Sequence, residues 1–199
     1  MASINYAQRE ISCKIVYYGC AMCGKTTNLQ YVHEKIPAKD KGNLVSLATE
    51  TDRTLFFDFL PLEVTTIGGF NTKFQLYTVP GQVFYNATRK LVLRGVDGIV
   101  FVIDSQWDRM KDNVESFRNL QENLADYNYD LRQIPYVLQY NKRDLGNVAT
   151  CEYLEYLLNN NQQRQLSFQS IATEGPGVFE TLNGICKLVL KSLSDRHGA

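Results

Sequence analysis

Gly19-Cys20-Ala21-Met22-Cys23-Gly24-Lys25-Thr26 follows directly on the apolar run 11–18. The octapeptide fits G-x-x-x-x-G-K-[ST]. A strand before it and a helix opening at Gly24 give it the context in which that pattern cradles polyphosphate. Backbone N–H groups turn inward on phosphate oxygens, and the helix N-terminus adds a partial positive charge. Lys25 reaches the β- and γ-phosphates as a point charge, and the Thr26 hydroxyl is a candidate Mg²⁺ ligand. Gly19, Ala21, Cys23, Gly24, Lys25, Thr26 and Thr27 are the candidate phosphate contacts.

Outward from the loop, strands alternate with helices. Strands are expected over 11–18, 44–48, 55–67, 70–78, 98–104, 136–140 and 168–172. Helices are expected over 24–35, 83–93, 110–127, 151–160 and 177–193. Residues 55–67 and 70–78 alternate apolar and polar positions across Gly68-Gly69, which marks an antiparallel hairpin. The β-branched run 98–104 reads as a strand buried on both faces. Val114, Phe117, Leu120 and Leu124 recur at helical spacing, and Thr150 is the expected N-cap of its helix. The pattern implies an α/β fold: a mostly parallel central sheet with one antiparallel edge hairpin and helices on both faces. Ligands of such sheets bind at the carboxyl ends of the strands.

The 199 residues are expected to form a single domain, 1–199. Lys plus Arg and Asp plus Glu both number 21. A zero net charge recommends neither nucleic acid nor an anionic membrane as partner. The sequence has no membrane-length apolar run, no signal-peptide layout, no glycine at position 2 and no prenylation cysteine near its end, so a cytoplasmic protein without a direct membrane anchor is expected. Five scattered cysteines suit a reducing compartment. Cys20-x-x-Cys23 has redox and metal spacing, but no second Cys/His pair lies nearby. The pair is read as filler of the phosphate loop.

Asn141-Lys142-Arg143-Asp144 closes the strand 136–140 and fits N-K-x-D, the guanine-reading motif. The Asp144 carboxylate accepts from guanine N1–H and the exocyclic amine, which adenine cannot match. Leaving it unpaired is worth about 10⁴-fold in discrimination. Lys142 lays its stem along the base, and Asn141 ties this loop to the base and to the phosphate loop.

Thr78-Val79-Pro80-Gly81-Gln82 resembles the D-x-x-G-Q segment of Ras-like small GTPases. The resemblance gives Gly81 the contact to the γ-phosphate and gives Gln82 the orientation of the attacking water. Thr78 stands where that family has aspartate, and its hydroxyl would hold Mg²⁺ through a water without adding charge. Within 49–54, Thr54 is the candidate switch I ligand of Mg²⁺. Ile171-Ala172-Thr173 sits where the family carries S-A-K, which assigns the Ala172 N–H to guanine O6.

Together with the run Thr49-Glu50-Thr51-Asp52-Arg53-Thr54-Leu55-Phe56-Phe57-Asp58-Phe59 and Gln139-Tyr140-Asn141-Lys142-Arg143-Asp144-Leu145, these motifs are similar to the MglA family over nearly the whole chain. That family comprises bacterial Ras-like GTPases of cell polarity and gliding motility. The resemblance implies a GTP/GDP switch using Mg²⁺, monomeric when alone and collecting at a cell pole when GTP-bound. It implies a Roadblock-domain activating protein of the MglB type, an exchange factor, and motility or polarity effectors. Arg53 would be an intrinsic arginine finger, which makes Arg53 and Gln82 the catalytic pair. MglA proteins usually have glycine where this chain has Ala21, and the added Cβ is expected to slow hydrolysis. A GTP-binding scaffold with negligible hydrolysis is the alternative. An ATP-dependent kinase or ATPase would share the phosphate loop but not Asn141 and Asp144.

Overall fold

In chain order the elements are β1 (Ser3–Asn5), β2 (Glu10–Tyr18), α1 (Lys25–Lys35), β3 (Val45–Ala48), β4 (Thr54–Ile67), β5 (Phe70–Thr78) and α2 (Asn86–Leu93). They continue with β6 (Gly98–Asp104), α3 (Met110–Ala125), β7 (Tyr136–Asn141), α4 (Cys151–Leu158), β8 (Ser167–Gln169) and α5 (Val178–His197). The structure, a computed structural model, describes residues 3–48, 54–67, 70–82, 85–160 and 164–197. Arg53 and most of the segment 49–54, the Gly68-Gly69 turn and residues 83–84 of an expected helix lie outside the described residues.

The sheet runs β3-β4-β5-β2-β6-β7-β8. β5, β2, β6, β7 and β8 pair in parallel. β4 pairs antiparallel with β5 on one side and with β3 on the other. The expected hairpin is therefore present, but β3 lies outside it and takes the edge. β1 pairs antiparallel with Glu10–Ser12 of β2. This pairing is additional to the expected strands. β6 reaches only Ile15–Tyr18 of β2, so β1 occupies the stretch that β6 leaves open.

Strand alternation sends two apolar stripes to opposite faces. Cys13, Ile15 and Tyr17 of β2 join Val100 and Val102 of β6 beneath α1 and α5. Val16 and Tyr18 join Ile99, Phe101 and Ile103 beneath α2, α3 and α4. No described helix is long and apolar enough to cross a membrane.

Three boundaries differ from expectation by three residues or more. Among the described residues, the helix expected over 83–93 is α-helical from Asn86. The last strand is Ser167–Gln169, so Ile171-Ala172-Thr173 is loop. α5 continues past residue 193 to His197. Thr150 caps α4 as expected, its hydroxyl accepting from the Tyr153 N–H at 3.2 Å.

One buried polar group breaks the apolar face of β7. Gln139 exchanges two hydrogen bonds with Asn28 of α1, at 2.9 and 3.0 Å, and donates to Thr181 of α5 at 3.0 Å. All three residues are fully buried, so the amide pair clamps the phosphate-loop helix to the sheet. Gln139→Leu would leave the buried Asn28 Oδ1 without its donor, at about 1–3 kcal/mol, while Asn28 Nδ2 and Thr181 Oγ1 keep their bonds to the Gly24 and Gly177 carbonyls. Urea unfolding is expected to show that loss as a lower midpoint with an unchanged m-value.

Candidate functional site

The phosphate loop leaves β2 at Tyr18 and enters α1 at Lys25. Gly24 sits at φ +104°, and a Cβ there would lie 2.1 Å from Asn141 Nδ2, so only glycine fits. The Lys25 ammonium is almost buried and lies inside the loop. It donates to the carbonyls of Gly19 at 3.1 Å and Cys20 at 2.6 Å, with Cys23 Sγ at 3.6 Å. Cys20 and Cys23 are free and buried. Burial alone would raise the Cys23 pKa. A hydrogen bond from Cys20 and the Lys25 charge outweigh it and hold Cys23 below the usual thiol range. The same bond and burial push Cys20 up.

Asp58 was not among the expected site residues, yet it organises the side of the site that faces α1. It shares a face of β4 with the buried Leu60 and Leu62 and has no exposed surface. Its carboxylate accepts from Thr26 at 2.6 Å, Thr78 at 2.7 Å and Ser46 at 2.5 Å. Its backbone N–H donates to Thr78 Oγ1 at 2.9 Å. β4 thus brings a carboxylate to Thr78 from the neighbouring strand, where Thr78 itself carries none. One carboxylate among hydroxyls is the hard-oxygen donor set that suits Mg²⁺. Thr54 opens β4, opposite Ala48 of β3.

At the neighbouring strand ends, Asn141 joins three loops. Its amide donates to Cys23 O at 2.8 Å, and its carbonyl accepts from Ser170 Oγ and from the Ala172 N–H, both at 2.9 Å. The tie to the phosphate loop is as expected. The Ala172 N–H, assigned to guanine, is hydrogen-bonded to Asn141 here. Lys142, at φ +65°, donates to buried Asp104 at 2.6 Å. Asp104 ends β6 and went unnoticed as a site residue. Asp144 is exposed at the tip of the loop rather than buried.

Gly81 lies against the phosphate loop: a Cβ on it would sit 2.3 Å from Ala21 Cα. Behind it, buried Arg89 of α2 donates to the carbonyls of Pro80, at 2.9 Å, and Gly81, and to Asn119 of α3, at 2.8 Å. In trans peptides C=O and the next N–H point oppositely. Arg89 therefore turns the N–H groups of Gly81 and Gln82 away from itself. A cavity of about 470 Å³ opens between the two segments, lined among others by Ala21, Met22, Lys25, Thr26, Gln82 and Arg109.

A family model described as the ADP-ribosylation factor family matches residues 1–189. The mutual gliding-motility protein MglA of Myxococcus xanthus (strain DK1622) is 60% identical over 193 residues, 97% of this chain and 98% of that protein.

Asn141→Ala removes all three ties at once. It is expected to cost about 1–3 kcal/mol for each group left buried without a partner and to lower affinity for GDP. A thermal melt paired with a fluorescent-GDP titration reads both.

Proposed function

The chain belongs to the ADP-ribosylation factor family of small GTPases, and from that premise we propose a switch that binds GTP and GDP with Mg²⁺ and hydrolyses GTP slowly. We propose one GTPase domain over 1–199, cytoplasmic and monomeric when alone. Its GTP-bound form would collect at a cell pole and engage polarity or gliding-motility machinery; the name of its Myxococcus relative supports the gliding-motility part. A Roadblock-domain protein would activate it and an exchange factor reload it. The observation carrying the nucleotide reading is that the phosphate loop, Gly81 and Asn141 lie at the carboxyl ends of β2, β5 and β7, with Asp58 reaching the same end of the sheet from the antiparallel β4.

Each residue type has a chemical task there. Backbone amides of the loop and the Lys25 ammonium neutralise polyphosphate. Thr26 and Asp58, with Thr54 and Thr78, would hold Mg²⁺, which when bound offsets charge on the β- and γ-phosphate oxygens. Gly81 offers its N–H to the γ-phosphate, and Gln82 orients the attacking water. Arg53 supplies the cation for charge developing in transfer, an effect worth about 10³–10⁵ in rate. An activating partner would work by ordering the segment that carries Arg53, without inserting a residue of its own. At the base, Asp144 accepts from guanine, and Asp104 positions Lys142 beside it.

The contact of Ala21 with Gly81 favours a second reading, a GTP-binding scaffold that barely hydrolyses. Single-turnover hydrolysis with and without a Roadblock protein separates the two.

Arg53→Ala and Gln82→Leu should each abolish stimulated hydrolysis while leaving GTP affinity nearly unchanged. Stimulation surviving in Arg53→Ala would show that the arginine comes from elsewhere or that none is used. Asp58→Asn keeps the shape but removes the charge, so nucleotide retention should require more Mg²⁺ in an EDTA-buffered titration. ATP should fail to displace labelled GDP, and competition equal to that of GTP would overturn the guanine reading.

A further inference from the structure

Met22 is the residue of the phosphate loop that the proposed chemistry leaves without a role. Its side chain is 74% exposed. Its φ is +62°, a left-handed conformation that costs a non-glycine residue about 1–3 kcal/mol and persists only where the surroundings impose it. The peptide before it is held from outside the loop. Arg109, at the entrance of α3, donates from Nη2 to the Ala21 carbonyl at 2.8 Å. The guanidinium is fixed in turn by Asp112, 2.6 Å from Nη1, and by buried Asp104, 3.8 Å from Nε.

Peptide planarity makes this contact directional. With the Ala21 carbonyl pulled onto Arg109, the Met22 N–H of the same trans peptide points the opposite way. Arg89 does the same to the carbonyls of Pro80 and Gly81 across the cavity. We propose that Arg109 is a positioning residue for phosphate binding: it holds the Ala21–Met22 peptide in its strained orientation so that the Met22 N–H faces the polyphosphate. Arg109 also lines the cavity beside the loop, but it contributes through that amide, not as a finger on the transferring phosphate. The proposal rests on the guanine-nucleotide reading of the site. It makes Asp104 a shared support, ion-paired to Arg109 at the phosphate end and to Lys142 at the base end.

The test is a double-mutant cycle read by fluorescent-GDP affinity and dissociation rate, with a thermal melt for each variant. Arg109→Ala should weaken GDP binding about tenfold or more, as expected for loss of a charged donor. Arg109→Lys should fall between, since an ammonium reaches the carbonyl without the fork held by Asp112. Met22→Gly removes the strain that Arg109 opposes. It should restore most of the affinity lost in Arg109→Ala, with a smaller gain in the unmodified chain. Equal gains on both backgrounds, or GDP affinity in Arg109→Ala matching the unmodified protein, would overturn the proposal alone. Failure of the unmodified protein to bind GDP would overturn the underlying reading as well. Should Arg109→Ala not fold, the cycle run with Arg109→Lys gives the same contrast at smaller amplitude.

Discussion

A carboxylate with no exposed surface is costly, several kcal/mol even after the protein relaxes around it. Asp58 carries that cost at the meeting point of four elements, and the surrounding geometry follows from how it is offset. Thr26 comes from the first turn of α1, Thr78 from the end of β5 and Ser46 from β3, each donating a hydroxyl to the same carboxylate. The α1 end of the phosphate loop is thereby tied to three adjacent strands. The same oxygens form a donor set for a small hard cation. Thr78 has no charge of its own, and β4 places the Asp58 carboxylate beside it from the neighbouring strand.

Asn141 performs the corresponding task at the other end of the site with a neutral group. Its amide reaches the phosphate loop and its carbonyl takes the loop after β8, so the base and phosphate ends share one side chain. Gly24 is the reciprocal requirement, since any Cβ there would strike that amide. Between these anchors two arginines grip backbone carbonyls, Arg89 on Pro80 and Gly81 and Arg109 on Ala21. The proposed phosphate site would need such grips, because the carbonyl side of each peptide sets which way its N–H faces.

Residues that act through short-range chain geometry were legible in the sequence. Glycine spacing and Lys25-Thr26 marked the loop after β2, alternation and β-branching the central strands, and Asn141 to Asp144 the loop after β7. The Thr150 cap and the α/β sheet with its antiparallel hairpin followed from local pattern alone. An additional clue lay in β4: an acid in step with Leu60 and Leu62 occupies a core-facing position, where Asp is almost never found unpartnered.

What only the tertiary structure decided are meetings across elements that have no fixed sequence spacing. Asp58 with Thr26 and Thr78, Gln139 with Asn28 and Thr181, and Arg109 with Ala21 are separated by 20 to 111 positions. Each depends on sheet order, which local periodicity does not encode. The order also moved β3 to the outer edge and gave β1 a place beside β2. Sequence determined that a G-x-x-x-x-G-K-T loop and an N-K-R-D loop stand at strand ends. Packing decided which buried polar side chains hold them in register, because burial makes each such group find a partner wherever the fold supplies one.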